Sequence, residues 1–311
     1  MKQKLKIIYH KTLFGKVIQY LFHSSKNKIW ADSWVIKYNY WKSTGLKLNL
    51  KNPKTLNEKI NWLKINDRTA LHTICADKFK VRDYISNEIG SEYLIPLLFE
   101  TKNAAEINES TIPDTPNIIK TNHDSGGVII VFDKRKVNYA EIQKRLQSRL
   151  NKNYYYNQKE WQYKNIKPRI IIEKLLLTRE NEIPMDYKIH CLNGNPHMIQ
   201  VDIGRNSQNH YRNWYYPNWK RCPFKWTALK DNGKTTEPAD FDIKPPARLD
   251  KMLELSKKLA SPFDYARIDW YDVNDKIYFG EITFHHDSGT RLIEPIEWDY
   301  KLGEILKLRT I

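Results

Sequence analysis

The first periodic pattern in the chain is helical. Leu13, Phe14, Val17, Ile18, Leu21 and Phe22 recur at helical spacing, with Lys2, Lys4, Lys6, Lys11 and Lys16 before and around them. This predicts a basic amphipathic helix, which either lies on an anionic membrane face or packs on the main body with its lysines in water. Residues 51–64 turn at Pro53 and continue as a helix; Thr55 followed three residues on by Glu58 is a capping box. Helices are also predicted over 76–88, stopped by Gly90, and over 139–150 and 248–259. A strand carrying Pro96 is expected over 93–99. Residues 118–132 read as strand, polar glycine-bearing tip and strand, and 169–177 as a strand with one acid, Glu173, set among apolar neighbours. Two more hairpins are expected: 186–203, turned at Asn193-Gly194-Asn195, and 265–284, turned at Asn274-Asp275. Residues 151–167 and 205–234 are aromatic and polar or basic, the former expected as a loop. With no internal repeat, the pattern predicts an α+β chain with strands in antiparallel pairs.

The 311 residues suffice for one large domain or two modest ones. Hydrophobic residues at 41% and charged residues at 28% indicate a folded, soluble chain. The balance of 52 Lys+Arg against 36 Asp+Glu gives +16, which attracts anions: nucleotides, acidic lipids, acidic polysaccharide or nucleic acid. A lysine-rich habit explains much of that excess, but less well its clustering near the N-terminus. Cys75, Cys191 and Cys222 are odd in number, with no Cys-x-x-Cys spacing; this excludes a disulfide scaffold and a cysteine zinc site and suits a reducing cytosol. No apolar run approaches the roughly 18 residues of a membrane span. The lysine-interrupted N-terminus lacks a signal peptide's features. A cytoplasmic protein, peripheral at most on the inner membrane face, is expected.

Chemistry concentrates late in the chain. Residues two apart in a strand share a face, so Arg267 and Asp269 point one way, as do Glu281 and Thr283 on the next strand. If the hairpin turns at Asn274-Asp275, Asp269 and Glu281 come roughly opposite each other. Two facing carboxylates need a cation, and Mg²⁺ takes one or two carboxylates plus phosphate oxygens; a salt-bridged hairpin in which Arg267 neutralises Asp269 is the alternative. Lys120 at a strand end, before the small-residue turn 121–127, suits phosphate cradling, or is simply part of a hairpin. Glu173 in its apolar strand needs a partner: an adenine amino group, a backbone N–H or Lys174. Asp186 heads the next strand, where it can accept ribose hydroxyls.

This order of signals resembles the ATP-grasp superfamily. From about residue 46 onward the chain is similar to the TupA-like ATP-grasp group of surface-polysaccharide clusters, whose members are often labelled glycosyltransferases. The carrying segments are NPKTLNEKINWL (52–63), ADKFKVRDYI (76–85), YLIPLL (93–98), IIKTNHDSGGVIIV (118–131), YKNIKPRIIIEKLL (163–176), DYKIHCLNGNPHMIQVD (186–202) and IYFGEITF (277–284). The resemblance implies an ATP-grasp fold of two α+β lobes clamping ATP. It divides the chain into a basic helical segment (1–50), a first lobe with a phosphate lid (51–170) and a second lobe (171–311). It implies Lys78 and Lys120 as phosphate lysines and a lid over 122–127 that includes Asp124, Ser125, Gly126 and Gly127. Glu173, Lys174 and Leu175 become the adenine hinge, Asp186 the ribose contact, Arg267 the γ-phosphate arginine, and Asp269 and Glu281 the magnesium carboxylates. Where most ATP-grasp enzymes have an Asn completing the metal shell, Thr283 stands here, and His285-His286-Asp287-Ser288-Gly289 replaces the usual Pro-Gly.

The activity implied is ATP- and Mg²⁺-dependent amide formation through an acyl phosphate, joining an amino acid to a uronic-acid carboxylate of a capsule, O-antigen or teichuronopeptide-like saccharide, free or lipid-linked. Arg205, His210, Arg212 and His285 are the expected substrate contacts, with Trp214, Tyr215 and Tyr216 able to stack on a sugar; His286 is expected to be exposed or supporting. A polysaccharide glycosyltransferase is the rival enzyme, but it wants an Asp-x-Asp in the N-terminal half, and none is there. A basic nucleic-acid binder would not need Arg267, Asp269 and Glu281 in register, so no nucleic-acid partner is expected.

Overall fold

Two antiparallel sheets carry the molecule. The structure, a computed structural model, describes residues 28–204, 210–228, 233 and 235–309; the helix expected over residues 13–22 lies outside the described residues. Helices α1 (Asp32–Thr44), α2 (Leu56–Asn66), α3 (Ala70–Ala76) and α4 (Val81–Glu88) come first. In α2 the Thr55 side chain accepts from Glu58 N–H and Glu58 reaches back to the Thr55 N–H, so the capping box forms as its sequence requires.

The helix expected over 76–88 is broken. The Asp77 carboxylate accepts from the N–H groups of Phe79 and Lys80, at 2.9 and 3.3 Å, offering the backbone an alternative to helix continuation. The break places Lys78 between α3 and α4. The strand expected over 93–99 starts late: Ser91–Tyr93 forms a 3-10 turn, Leu94 makes a single parallel bridge to Phe279, and the strand itself runs from Leu97.

The first sheet has the order β1-β4-β2-β3, from β1 (Leu97–Thr101), β2 (Asn117–Thr121), β3 (Ile129–Val131) and β4 (Ile170–Lys174). The strand straddling residues 170 and 171 therefore belongs to this sheet. Helix α5 (Tyr139–Leu150) buries Ile142 and Leu146 against Ile119, Val131, Ile170 and Ile172. The stretch expected as a loop holds the short helix α6 (Tyr155–Gln158) and a 3-10 turn at Trp161–Tyr163.

The second sheet has the order β10-β9-β5-β6-β7, from β5 (Asp186–Leu192), β6 (Asn195–Ile203), β7 (Tyr211–Tyr215), β9 (Tyr265–Val273) and β10 (Lys276–Thr283). Both expected hairpins form at the expected turns. Strand β7 lies in the stretch whose aromatic and basic residues gave no strand signal. The short β8 (Lys225–Trp226) pairs with β11 (Ile293–Glu294). Helix α7 (Leu249–Ala260) covers one face of the large sheet, packing Met252, Leu255 and Leu259 on Ile189, Ile199, Ile268 and Trp270. Helix α8 (Glu297–Ile305) packs with α2.

Pairing register fixes what lies on the other face. Lys188 pairs with Asp269 and with Gln200, His190 with Arg267, and Asp202 with Arg212. Directly paired residues share a face, and residues two apart share it again. Hence Asp186, Lys188, His190, Gln200, Asp202, Arg212, Arg267 and Asp269 all project from one side, and all are buried. A sheet with an apolar side and a side of buried ions has reserved the latter for chemistry.

Candidate active site

Arg267 is the centre of the ionic face. Its Nε and one terminal nitrogen donate to the two Asp269 oxygens, each at 2.7 Å, and that same terminal nitrogen donates to Glu281 Oε1 at 2.8 Å. The other terminal nitrogen donates to His286 Nδ1 at 3.0 Å. The two expected metal carboxylates therefore converge on a single nitrogen.

A β-bulge brings this about. Phe279 pairs with Trp270, but Ile282, not Glu281, pairs with Ile268, so Gly280 and Glu281 together oppose Asp269. An uninterrupted register would set Glu281 opposite Ile268, on the apolar face; the extra residue returns it to the side of Asp269. Glycine suits the bulge because a Cβ at position 280 would stand 3.1 Å from the Asp269 carbonyl oxygen and 3.2 Å from the Tyr271 ring.

The charges tune one another. Burial pushes Glu281 up, but Lys78 and then Arg267 outweigh it and hold the carboxyl down at about 2. Burial pushes Asp269 up to about 6 against the pull of Arg267 and Lys188, so it is a carboxylate at neutral pH. Helix α3 packs against β10, which brings Lys78, just beyond its end, within electrostatic reach of Glu281. Thr283 donates its hydroxyl to Glu281 Oε1 at 3.1 Å, so in this arrangement it supports that acid.

At the first sheet, Lys120 Nζ lies 2.6 Å from one Glu173 oxygen, and Arg82 donates to the other at 3.2 Å and to the Ile95 carbonyl at 2.9 Å. Glu173 thus finds its partners in Lys120 and Arg82, not in Lys174, whose side chain is exposed. The N–H groups of Lys174 and Leu175 donate to the Pro96 and Pro116 carbonyls, both at 3.0 Å, so neither is free to read an adenine edge.

The phosphate loop has a fixed base and an exposed tip. Asn122, His123 and Asp124 are buried, whereas Ser125 and Gly126 are exposed. Asn122 is fastened to Asp77 and to the backbone of Lys167 and Arg169. Asp124 accepts from Thr121 at 2.6 Å and pairs with Arg149 at 2.7 Å. Lys78 donates to the Asp124 carbonyl, while Arg149 also reaches the Ser125 and Gly126 carbonyls, at 3.2 and 2.8 Å. Of the expected lid, only the part beyond Asp124 stands clear of the core.

The expected substrate contacts that the structure describes are engaged by other residues of the protein. Arg205 lies outside the described residues. Arg212 donates to Asp202 at 2.9 Å and to Asp287 at 3.0 Å, and His210 lies 3.3 Å from Asp202; two aspartates already occupy the arginine expected to clamp a carboxylate. Asp186, expected on the ribose, is ion-paired with Lys188. His285 is buried within 3.9 Å of Glu160, its pKa driven well below the usual value by burial and then by Lys64, so it does not line an open pocket. Trp214 stacks on Trp226 at 5.3 Å and Tyr215 on Trp219 at 4.5 Å, both buried in the core. His286 is itself buried; with Nδ1 accepting from Arg267, its Nε2 faces Asp287 at 3.3 Å. Lys188, Asp202, Arg82, Arg149, His286 and Asp287 are the site residues that sequence reasoning missed. The alternation Asp-Tyr-Lys-Ile-His over 186–190 was a usable signal for Lys188.

A family model described as TupA-like ATPgrasp matches residues 58–307. The chain belongs to the TupA-like ATP-grasp family. The ATP-grasp fold expected from the sequence is thereby established, with its helices and antiparallel sheets. Among solved structures, D-alanine–D-alanine ligase from Bacillus anthracis aligns at 18% identity over 68% of this chain and 57% of that one, TM-score 0.36. The ATP-grasp ligase PsnB with its minimal precursor aligns at 8% identity over 76% and 61%, TM-score 0.41. D-alanine–D-alanine ligase from Helicobacter pylori aligns at 15% over 73% and 53%, TM-score 0.37. The chain thus spans under two thirds of the length of these proteins, and the assignment rests on the family match alone. No curated protein matches it.

The donor set of this TupA-like protein suits magnesium. Asp269 and Glu281 offer hard oxygens around one point. Across the ionic face, Asp186, Asp202, Asp269, Glu281 and Asp287 outnumber Lys188, Arg212, Arg267 and the facing Lys78, five to four, before any phosphate arrives. No cluster of three or more metal-binding side chains exists among the described residues. Magnesium bound through two carboxylates and phosphate oxygens requires none.

Proposed function

We propose that the protein is an ATP-dependent carboxylate–amine ligase that joins an amino acid to a uronic-acid carboxylate of a surface polysaccharide. The convergence of Asp269 and Glu281 on one nitrogen of Arg267, with Lys78 facing them, carries this reading. It is the arrangement needed to neutralise a phosphoryl group in transfer.

Lys78 and Lys120 would hold the nucleotide's phosphates, with the exposed tip of 125–127 closing over them. Magnesium, held by Asp269 and Glu281, would supply Lewis-acid neutralisation of the phosphate oxygens. A substrate carboxylate oxygen attacks the γ-phosphorus, the bond to the ADP oxygen breaks, and an acyl phosphate forms as the electron pair leaves with ADP. Arg267, fixed on three sides by Asp269, Glu281 and His286, holds its positive charge against the equatorial oxygens. An amine then attacks the acyl carbon, phosphate departs and the amine loses a proton, leaving an amide. Closing the loop excludes the water that would otherwise hydrolyse the acyl phosphate.

The substrate half of the proposal rests on the resemblance to polysaccharide-cluster proteins. The rival transferase finds little support: the chain's single Asp-x-Asp, Asp240-Phe241-Asp242, has Asp242 bonded to Arg221 and Tyr215. The test is release of ADP and phosphate from ATP that requires Mg²⁺, an amino acid and a uronic-acid saccharide together, and that is lost in Asp269→Asn and Glu281→Gln. Release of UDP from a sugar nucleotide with ATP ignored would reject the ligase.

A further inference from the structure

Helix α1 is apolar on two sides. Val35, Ile36 and Tyr40 are buried, the last two in a small core with Leu48. On the opposite side Trp34 is 68% and Trp41 56% exposed. Seven residues apart, they share one helix face. Ile29, 78% exposed, precedes the helix, and Leu46, 43% exposed, follows it. Exposed Lys37 and Lys42 flank the indoles. Single exposed apolar residues need no explanation, but two indoles on one face of a helix, with exposed aliphatic residues before and after it, do.

The helix is held firmly. Asp32 in its first turn accepts from Arg68 at 2.8 Å and from the Tyr155 hydroxyl at 2.5 Å, and pairs with Lys159 at 3.3 Å. The tryptophan face is therefore a fixed surface.

Charge selects what covers it. The first 31 residues contain seven lysines and no acid, and the whole chain carries +16. A second copy would bring the same sign to the contact, and a polyanion without an apolar phase would leave the indoles in water. An anionic bilayer satisfies both groups, seating indoles at headgroup depth and ammonium groups among phosphates. We propose that the Trp34–Trp41 face of α1 is a docking surface for an anionic lipid bilayer, which would hold the enzyme beside membrane-borne acceptors.

The test is flotation of the full chain with vesicles of phosphatidylcholine alone or mixed with phosphatidylglycerol. The protein is expected to float with the anionic vesicles only, and less at high salt. Trp34→Ala/Trp41→Ala should lower partitioning at least about tenfold, since two indoles lose their apolar burial. Lys37→Glu/Lys42→Glu, which keeps the indoles, should lower it several-fold at low salt. The proposal is overturned if the wild type stays in the aqueous fraction, or if the tryptophan variant floats equally well. It is also overturned if that variant turns a dimer into a monomer while lipid binding is nil, which would assign the face to a second copy.

Discussion

Replacing Arg267 by lysine keeps the charge and removes the geometry. The guanidinium makes four hydrogen bonds: two to Asp269, one to Glu281 and one to His286. A lysine ammonium is a single point that cannot meet both Asp269 oxygens while reaching Glu281 and His286. At least two charge-assisted bonds are lost, each about 1.5–3 kcal/mol. Because a positive charge remains among the acids, a net loss of roughly 2–4 kcal/mol is expected. For a chain of 311 residues that lowers Tm by about 3–6 °C. The effect on turnover should be larger, because the transferring phosphoryl group loses its oriented donor: a fall in kcat of about 10³ or more is expected, with ATP affinity nearly intact. Denaturant unfolding, calorimetric ATP binding and ADP release, all below the variant's Tm, separate the effects. If the variant retains kcat within tenfold of wild type while folded, Arg267 is structural and the phosphoryl role assigned to it is wrong.

Lys120→Ala should weaken ATP binding by about tenfold or more and leave Glu173 with Arg82 alone; unchanged affinity by calorimetry would detach Lys120 from the phosphates. Because burial raises Asp269 to about 6 and magnesium needs the carboxylate, Mg²⁺ affinity should rise with pH through about 6 and level off above, falling about tenfold per unit below it; titrations at pH 5, 6 and 7 with a non-hydrolysable ATP analogue read this directly. A Cβ at Gly303 would land on the backbone of Lys54–Leu56, where α8 meets the start of α2. Gly303→Ala should therefore cost about 3 kcal/mol or more by urea unfolding, with no selective effect on the KM for ATP.

Local rules were legible wherever neighbours in sequence decide the structure. The capping box at Thr55, the Asn193-Gly194 turn and the alternation around Arg267 each encode their own geometry, and each formed. What could not be read depends on partners far along the chain. The bulge at Gly280 follows from how β10 meets β9, and simple alternation does not announce an extra residue. The partners of Glu173 lie on α4 and β2, 91 and 53 positions away, whereas the sequence offered only its neighbour Lys174. Trp214 and Tyr215 read as sugar-stacking aromatics because their strand is basic; burial against Trp226 and Trp219 is a tertiary fact. Arg212 looked like an open anion clamp for the same reason, since Asp202 and Asp287 approach it from β6 and from the turn after β10.

The excess of acids facing inward from the second sheet has a consequence for the protein's lifetime. Magnesium brings two positive charges to that excess, and a Mg·ATP complex that binds the folded chain and not the unfolded one also acts as a folding ligand. Resistance to proteolysis should then climb with Mg·ATP, and starved cells would hold less of this chain without any change in its synthesis.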